Sequence, residues 1–249
     1  KTSTRIMADN FYLTDTLYVC GDKMYHETER GPKPVKRSNW HIHLQEYGYR
    51  KLPKRWISLL NREAELRPNY FHYGSRDCER DGNCLYHCIA NALNERDGYE
   101  ISHTNATIRD RVCEGITEDD YQMCIGCYRA MKDASDFENE WDPHQIGTIQ
   151  DFREVLRTKG HSYWGDYLIL GLLIRILRLN IVILTSDEFT GNHSLYQTGF
   201  PFEDTKETVC LLHENSSHFQ LVGHFDGDRM VSYFRAGSLP SELHALVSR

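Results

Sequence analysis

Apolar residues recur along the chain with two periods, and the change from one to the other divides it. In the middle, Leu85, Ile89 and Leu93 return at helical spacing with Ala92 on the same stripe, so a helix is predicted to follow the Gly82 turn. A second helix is predicted over Asn105 to Gly115, and partial helix between Thr117 and about Gln145, with a loop at Asp142-Pro143. Ile149, Phe152, Val155 and Leu156 mark a helix from Thr148 to Lys159, which Gly160 ends. Tyr167 to Leu184 is the longest apolar run. It contains Arg175, Arg178 and Asn180, which are costly at a bilayer centre, so it reads as a buried helix from Asp166 to about Arg178 running into a strand. That strand, Ile181-Val182-Ile183-Leu184, is apolar at every position and is therefore expected to be covered on both faces. Three more strands are predicted over Thr208 to His213, His218 to His224 and Met230 to Phe234. The turns Asn215-Ser216-Ser217 and Asp226-Gly227-Asp228 separate them.

Helices first and strands last indicate an α+β domain. The first seventy residues are less regular. Pro53 followed by Trp56, Leu59 and Leu60 reads as a short helix that Pro68 closes, with Gly31-Pro32 and Pro34 as turn or linker. Residues 1–70 are read as an N-terminal extension and 71–249 as the main domain. Basic clusters in the extension (Lys33, Lys36, Arg37; Arg50, Lys51, Lys54, Arg55) read as a solvated face. With 40% hydrophobic and 26% charged residues among 249, the chain has an ordinary globular composition. The formal net charge of −7 argues against nucleic acid as a partner, because phosphate neutralisation needs a surplus of Lys and Arg. No secretory signal is visible, and no membrane partner is expected. The eight cysteines are irregularly spaced in a chain too large to need staples, which favours reduced thiols and a cytoplasmic location. Asn105, Asn192 and Asn215 each open an N-x-[ST] triplet, read as chance matches.

Candidate chemistry centres on Cys84. It sits where the Asp81-Gly82-Asn83 turn becomes a helix, so unpaired backbone N–H groups and the positive end of the helix dipole face the thiol. Such a place favours a thiolate nucleophile and supplies donors for an oxyanion. A base must come from elsewhere. His218, at the start of a strand beside a loop, is the first candidate; His213 and His224 flank it. His224 shares a strand face with His218 but lies about 20 Å along it, so His218 is kept. Cys124-Ile125-Gly126-Cys127 is a CxxC without a second pair, read as two thiols on a helix rather than a zinc site.

The block Asp81-Gly82-Asn83-Cys84-Leu85-Tyr86 resembles the D-G-N-C-L-[FY] nucleophile signature of the ovarian-tumour (OTU) family of cysteine peptidases and deubiquitinases. Tyr163-Trp164-Gly165-Asp166 with the apolar helix after it, and then His218-Phe219, resemble the family's W-G block and its H-[YF] pair, so the likeness spans residues 74–235 in order. It implies a papain-like fold with a small central sheet flanked by helices. It further implies hydrolysis of isopeptide bonds in ubiquitin conjugates through a thioester, with Cys84 as nucleophile and His218 as base and then acid. Asp81 and Cys84 would bind the oxyanion through their N–H groups, with Gly82, Asn83 and the Asp81 side chain shaping that loop. Trp164 and Phe219 are assigned to the substrate cleft. Many family members carry Asp or Asn two residues after the histidine to orient it; here that position is Gln220, the expected third catalytic residue. The implied partner is ubiquitin or polyubiquitin acting on a monomer, with no metal or organic cofactor, in the host-cell cytosol if the source is a virus or a bacterial effector. The alternatives are a peptidase for another ubiquitin-like modifier or a polyprotein, and a non-catalytic ubiquitin-binding module.

Overall fold

A computed structural model describes residues 10–63, 72–79, 81–137, 139–158, 165–186, 193–196, 200–214 and 218–248. In chain order the strands are β1 (Phe11–Tyr12), β2 (Leu17–Cys20), β3 (Lys23–His26), β4 (Lys33–Pro34), β5 (Tyr49–Lys51), β6 (Tyr73–Arg76), β7 (Asn180–Ser186), β8 (His193–Tyr196), β9 (Thr208–Glu214), β10 (His218–Phe225), β11 (Met230–Val231) and β12 (Tyr233–Phe234). The helices are α1 (Trp40–His43), α2 (Lys54–Glu63), α3 (Cys84–Arg96), α4 (Asn105–Gly115), α5 (Glu118–Asp133), α6 (Ile149–Arg157), α7 (Tyr167–Leu177) and α8 (Ser241–Val247). The fold is therefore α+β, as the periodicities imply.

Helix starts follow side-chain chemistry. Thr104, Thr117 and Thr148 each cap a helix reciprocally with the residue three positions on (Thr107, Asp120 and Asp151), satisfying orphan N–H groups from both sides. Asp166 caps α7, accepting from the N–H groups of Leu168 and Ile169. Arg178 ends that helix in the left-handed conformation, and the chain enters β7.

The main sheet runs in the order β5-β6-β10-β9-β7-β8, with β11 paired to β10 and β12 to β9. Only the β7–β9 pairing is parallel; every other described pair is antiparallel. The β7 run is covered on both faces. Ile181 and Ile183 join the core formed with α3 to α7, and Val182 and Leu184 join the core formed with α2 and α8. Alternation in β10 repeats the division, Phe219 and Leu221 facing the first core and Val222 the second.

Part of the segment read as an extension is continuous with this sheet: β5 pairs with β6, and Trp56, Ile57 and Leu60 of α2 are buried in the second core. Strands β1 to β4 form a separate antiparallel meander. Its Leu17, Val19 and Met24 pack with Trp40 of α1 and with Phe225 and Met230 from the main sheet. No period in the sequence marks these strands, nor β6 and β8. They are two to four residues long, too short for a period to register. Pro68, Gly160 and the Asn215-Ser216-Ser217 turn lie outside the described residues. No described helix is long and apolar enough to cross a membrane.

Candidate active site

Cys84 is the first residue of α3 and Asn83 its N-cap, but the Asn83 side chain makes no capping bond. Its atoms serve other partners. Asn83 Nδ2 donates to Asp81 Oδ2 at 2.8 Å, and Asn83 Oδ1 accepts from Arg109 Nε at 3.1 Å and Nη2 at 2.7 Å. The Asn83 N–H donates to Asp81 Oδ1 at 2.9 Å, which closes the turn. Gly82, at φ +81°, supplies the left-handed step that a side chain would strain. Burial alone would raise the Asp81 carboxyl; the two donors from Asn83, with His87 behind them, outweigh it and hold the group below its usual value. The first turn of α3 is thus left without a side-chain cap at the positive end of the helix.

Arg109 is the buried support of this turn. It is 1% exposed, donates through Nη1 to the Leu156 carbonyl at 2.9 Å, and lies 4.0 Å from the centre of the Tyr86 ring. A buried guanidinium is tolerated because carbonyl acceptors and an aromatic face replace its water. Nothing in the sequence marked it: Arg109 is one charged residue among several in an amphipathic helix. The far side of the nucleophile turn is fixed by packing. A Cβ on Gly165 would sit 2.7 Å from Leu85 Cδ2 and 3.1 Å from Leu85 Cβ, so only glycine lets the start of α7 lie this close to the residue after Cys84.

Strand β10 delivers the histidine. His218 is 7% exposed, and its ring adjoins the Cys84 thiol. The next residue contributes too, as the Phe219 N–H donates to Cys84 Sγ at 3.5 Å. His218 Nε2 bonds Asp77 Oδ1 at 2.6 Å, leaving Nδ1 for the thiol. The imidazole is held more basic than an isolated histidine, first by the bond to Cys84 and then, against the opposing effect of burial, by Asp77.

Asp77 stands where Gln220 was expected to act. The correction follows from strand register. Arg76 of β6 pairs with Leu221 of β10, so the next residue, Asp77, follows on toward Gln220, two residues from His218 on the same strand face. A shorter, carboxylate acceptor just past the end of the neighbouring strand holds the ring nitrogen in place of the longer Gln220 amide. Phe219 likewise meets the site through its backbone. Its ring is 4% exposed and stacks on His213 with centroids 4.3 Å apart, so it belongs to the core rather than the cleft wall. Trp164 lies outside the described residues.

The flanking histidines are otherwise engaged. His213 Nδ1 bonds the Tyr167 hydroxyl at 2.7 Å, and burial followed by the neighbouring His218 pushes its pKa down to about 4. His224 packs on Tyr73 with centroids 4.8 Å apart, and burial lowers it to about 4 as well. In the CxxC, Cys124 is buried and Cys127 exposed, and neither joins a group of metal-capable side chains among the described residues.

A thiol at an uncapped helix start, an imidazole on it and a carboxylate on the imidazole are the parts of a cysteine-peptidase centre. The family model for OTU-like cysteine proteases matches residues 79–225, more than half of the chain. The chain belongs to the OTU-like cysteine protease family. Among solved structures, it is similar to an OTU deubiquitinase from Wolbachia pipientis wMel bound to ubiquitin (14% identity, TM-score 0.43, covering 63% of this chain and 98% of that one). It is also similar to the Hazara virus OTU bound to ubiquitin (20% identity, TM-score 0.36, covering 64% and 82%). A third is the OTU domain of OTUD1 (13% identity, TM-score 0.37, covering 74% and 92%). No curated protein matches. The OTU match begins two residues after Asp77, so the carboxylate on His218 comes from outside the matched span.

Proposed function

We propose that this OTU-family chain is a deubiquitinase that hydrolyses isopeptide bonds at the ubiquitin C-terminus through a thioester on Cys84. The observation that carries the reading is the junction of α3 and β10, where the thiol of Cys84 meets the ring of His218 and Asp77 holds the opposite ring nitrogen.

In the proposed reaction the Cys84 thiolate attacks the carbonyl carbon of the terminal glycine, forming the C–S bond while His218 holds the proton. The oxyanion that develops takes the N–H of Cys84 and, as in the family, of Asp81. His218 then gives its proton to the leaving lysine amine, and the C–N bond breaks. In the second half, His218 takes a proton from water, the hydroxyl adds to the thioester, and ubiquitin leaves as a carboxylate with the thiol restored. Asp77 keeps the ring oriented and stabilises its charged form through both halves. The chain's own side chains supply the nucleophile, the proton carrier and the orienting acid.

The test is reaction of the folded protein with ubiquitin carrying a C-terminal electrophile. Covalent labelling that Cys84→Ala and His218→Ala both abolish is expected. Folded protein that binds ubiquitin without labelling, or that labels only with another modifier's probe, would replace this reading with a binding module or a different modifier's peptidase.

A further inference from the structure

A second pair of sulfurs lies beside the site without taking part in the proposed hydrolysis. Cys78 Sγ and Cys88 Sγ are 3.4 Å apart. Cys78 follows Asp77 in the loop after β6, and Cys88 lies one helical turn after Cys84 in α3. Both are buried, Cys88 completely and Cys78 with 8% of its surface exposed. Cys78 is the better acceptor of the two. The Asn91 amide points Nδ2 at its sulfur from 3.8 Å, and Arg76 is two residues away in the same segment. Arg76 and Asn91 also line a cavity of about 410 Å³ beside α3.

We propose that Cys78 and Cys88 form an oxidation site for hydrogen peroxide, closing to a disulfide that ties the segment carrying Asp77 to the helix carrying Cys84. The pair stands on its own geometry and does not rest on the hydrolytic reading. A disulfide needs sulfurs about 2.05 Å apart, so the gap must close by about 1.4 Å. Cys78 lies outside regular structure, so the closing movement falls to it while Cys88 stays in the helix.

The steps balance with peroxide as sole oxidant. Cys78 thiolate attacks one peroxide oxygen; the S–O bond forms, the O–O bond breaks, and hydroxide leaves and is protonated to water. Cys88 sulfur then attacks the Cys78 sulfenic acid; the S–S bond forms, the S–O bond breaks, and a second water leaves with the Cys88 proton. Two thiols lose two electrons, and one peroxide becomes two waters. The assignment of roles agrees with the electrostatics. The bond from Cys88, followed by Arg76 and Asn91 against the opposing effect of burial, makes Cys78 more acidic than an ordinary thiol, whereas burial makes Cys88 less so.

The experiment uses the full chain carrying Cys84→Ala, which removes the competing nucleophile. Reduced protein is treated with hydrogen peroxide, remaining thiols are alkylated after denaturation, and peptides are mapped. A Cys78–Cys88 linked peptide is expected, with loss of two hydrogens from the intact mass and reversal by dithiothreitol. In protein that also carries Cys88→Ser, a sulfenic-acid trap such as dimedone should label Cys78. Recovery of both residues as alkylated thiols after Cys127 is oxidised would overturn the proposal. So would a link to any other cysteine, or trapping of sulfenic acid elsewhere in place of Cys78.

Discussion

Replacing Asp77 with Asn tests the catalytic geometry at its least anticipated point. The substitution keeps the side chain's size and removes the charge that faces His218 Nε2 at 2.6 Å. A hydrogen bond to a charged partner contributes about 1.5–3 kcal/mol. The His218 side chain is only 9% exposed, but that of Asp77 is 40% exposed, so solvent screens part of the attraction and about 1–2 kcal/mol is the better figure. If that bond strengthens as the imidazolium forms, kcat/KM falls by about 5–30-fold. The pH profile carries a sign as well. Asp77 helps hold the His218 pKa up, so Asp77→Asn lowers it, and the alkaline limb of the rate, where the imidazolium is lost, moves to lower pH. Linkage gives the same direction for stability. A histidine whose folded pKa is raised stabilises the fold at pH values below its unfolded value of about 6.5, and that contribution is lost as pH rises through the folded value. The assay is hydrolysis of a fluorogenic ubiquitin C-terminal amide from about pH 5 to pH 10, with Gln220→Ala measured beside it. Gln220→Ala should stay within about twofold of the parent, since the ring nitrogen it would serve belongs to Asp77. An unchanged rate and profile for Asp77→Asn, or a larger loss for Gln220→Ala, would refute the reasoning.

Three further substitutions probe the supports of the site. Arg109→Met leaves the buried Asn83 Oδ1 and the Leu156 carbonyl without their donor. It should cost about 2–4 kcal/mol in urea denaturation and lower kcat more than it raises KM; equal stability would show that the guanidinium is replaceable. Gly165→Ala forces a Cβ against Leu85 and should destabilise by about 1–3 kcal/mol, read as a lower Tm, and an unchanged Tm would sink the close-packing argument. Glu95 lies at the end of α3, where its carboxylate accepts from the Ser232 hydroxyl and N–H, and burial raises its pKa to about 7. The folded state therefore holds a proton that the unfolded chain has released above about pH 4.3, so stability falls as pH rises from there to about 7. Glu95→Gln should remove a loss of about 1–3 kcal/mol across that window, measured by denaturation at each end, and parallel curves for the two proteins would contradict it.

The parts of the site that were legible in the sequence are those fixed by local chain geometry. Cys84 follows a glycine turn and opens an apolar stripe, and that order alone places it at a helix start with N–H groups to spare. His218 opens a strand whose alternation is regular, so its position at a sheet end is readable too. Asp77 is a property of pairing. Its relation to His218 exists only because β6 lies antiparallel to β10 in a register that sets Arg76 against Leu221. The β6 strand, Tyr73-Gly74-Ser75-Arg76, has no apolar alternation to announce it, and His218 lies 141 residues from Asp77 in sequence. The Gln220 expectation failed for the same reason: it sought the acceptor along the histidine's own strand, where spacing can be counted.

Arg109 extends the point from the triad to the turn that precedes it. In a helix N-cap, an asparagine side chain ordinarily spends its oxygen on a first-turn N–H. Here Arg109 claims that oxygen, and the amide nitrogen is committed to Asp81. The capping atom is thereby drawn away from the helix end, and the first turn of α3 is left without a side-chain cap. A chain optimised only for stability would gain roughly 1 kcal/mol by letting Asn83 cap α3. Here a buried guanidinium takes the oxygen instead, at a desolvation cost that three hydrogen bonds and the Tyr86 ring offset. The first turn is left uncapped at the residue proposed as nucleophile, so the Arg109–Asn83–Asp81 chain of contacts bears on that turn as directly as Asp77 bears on His218.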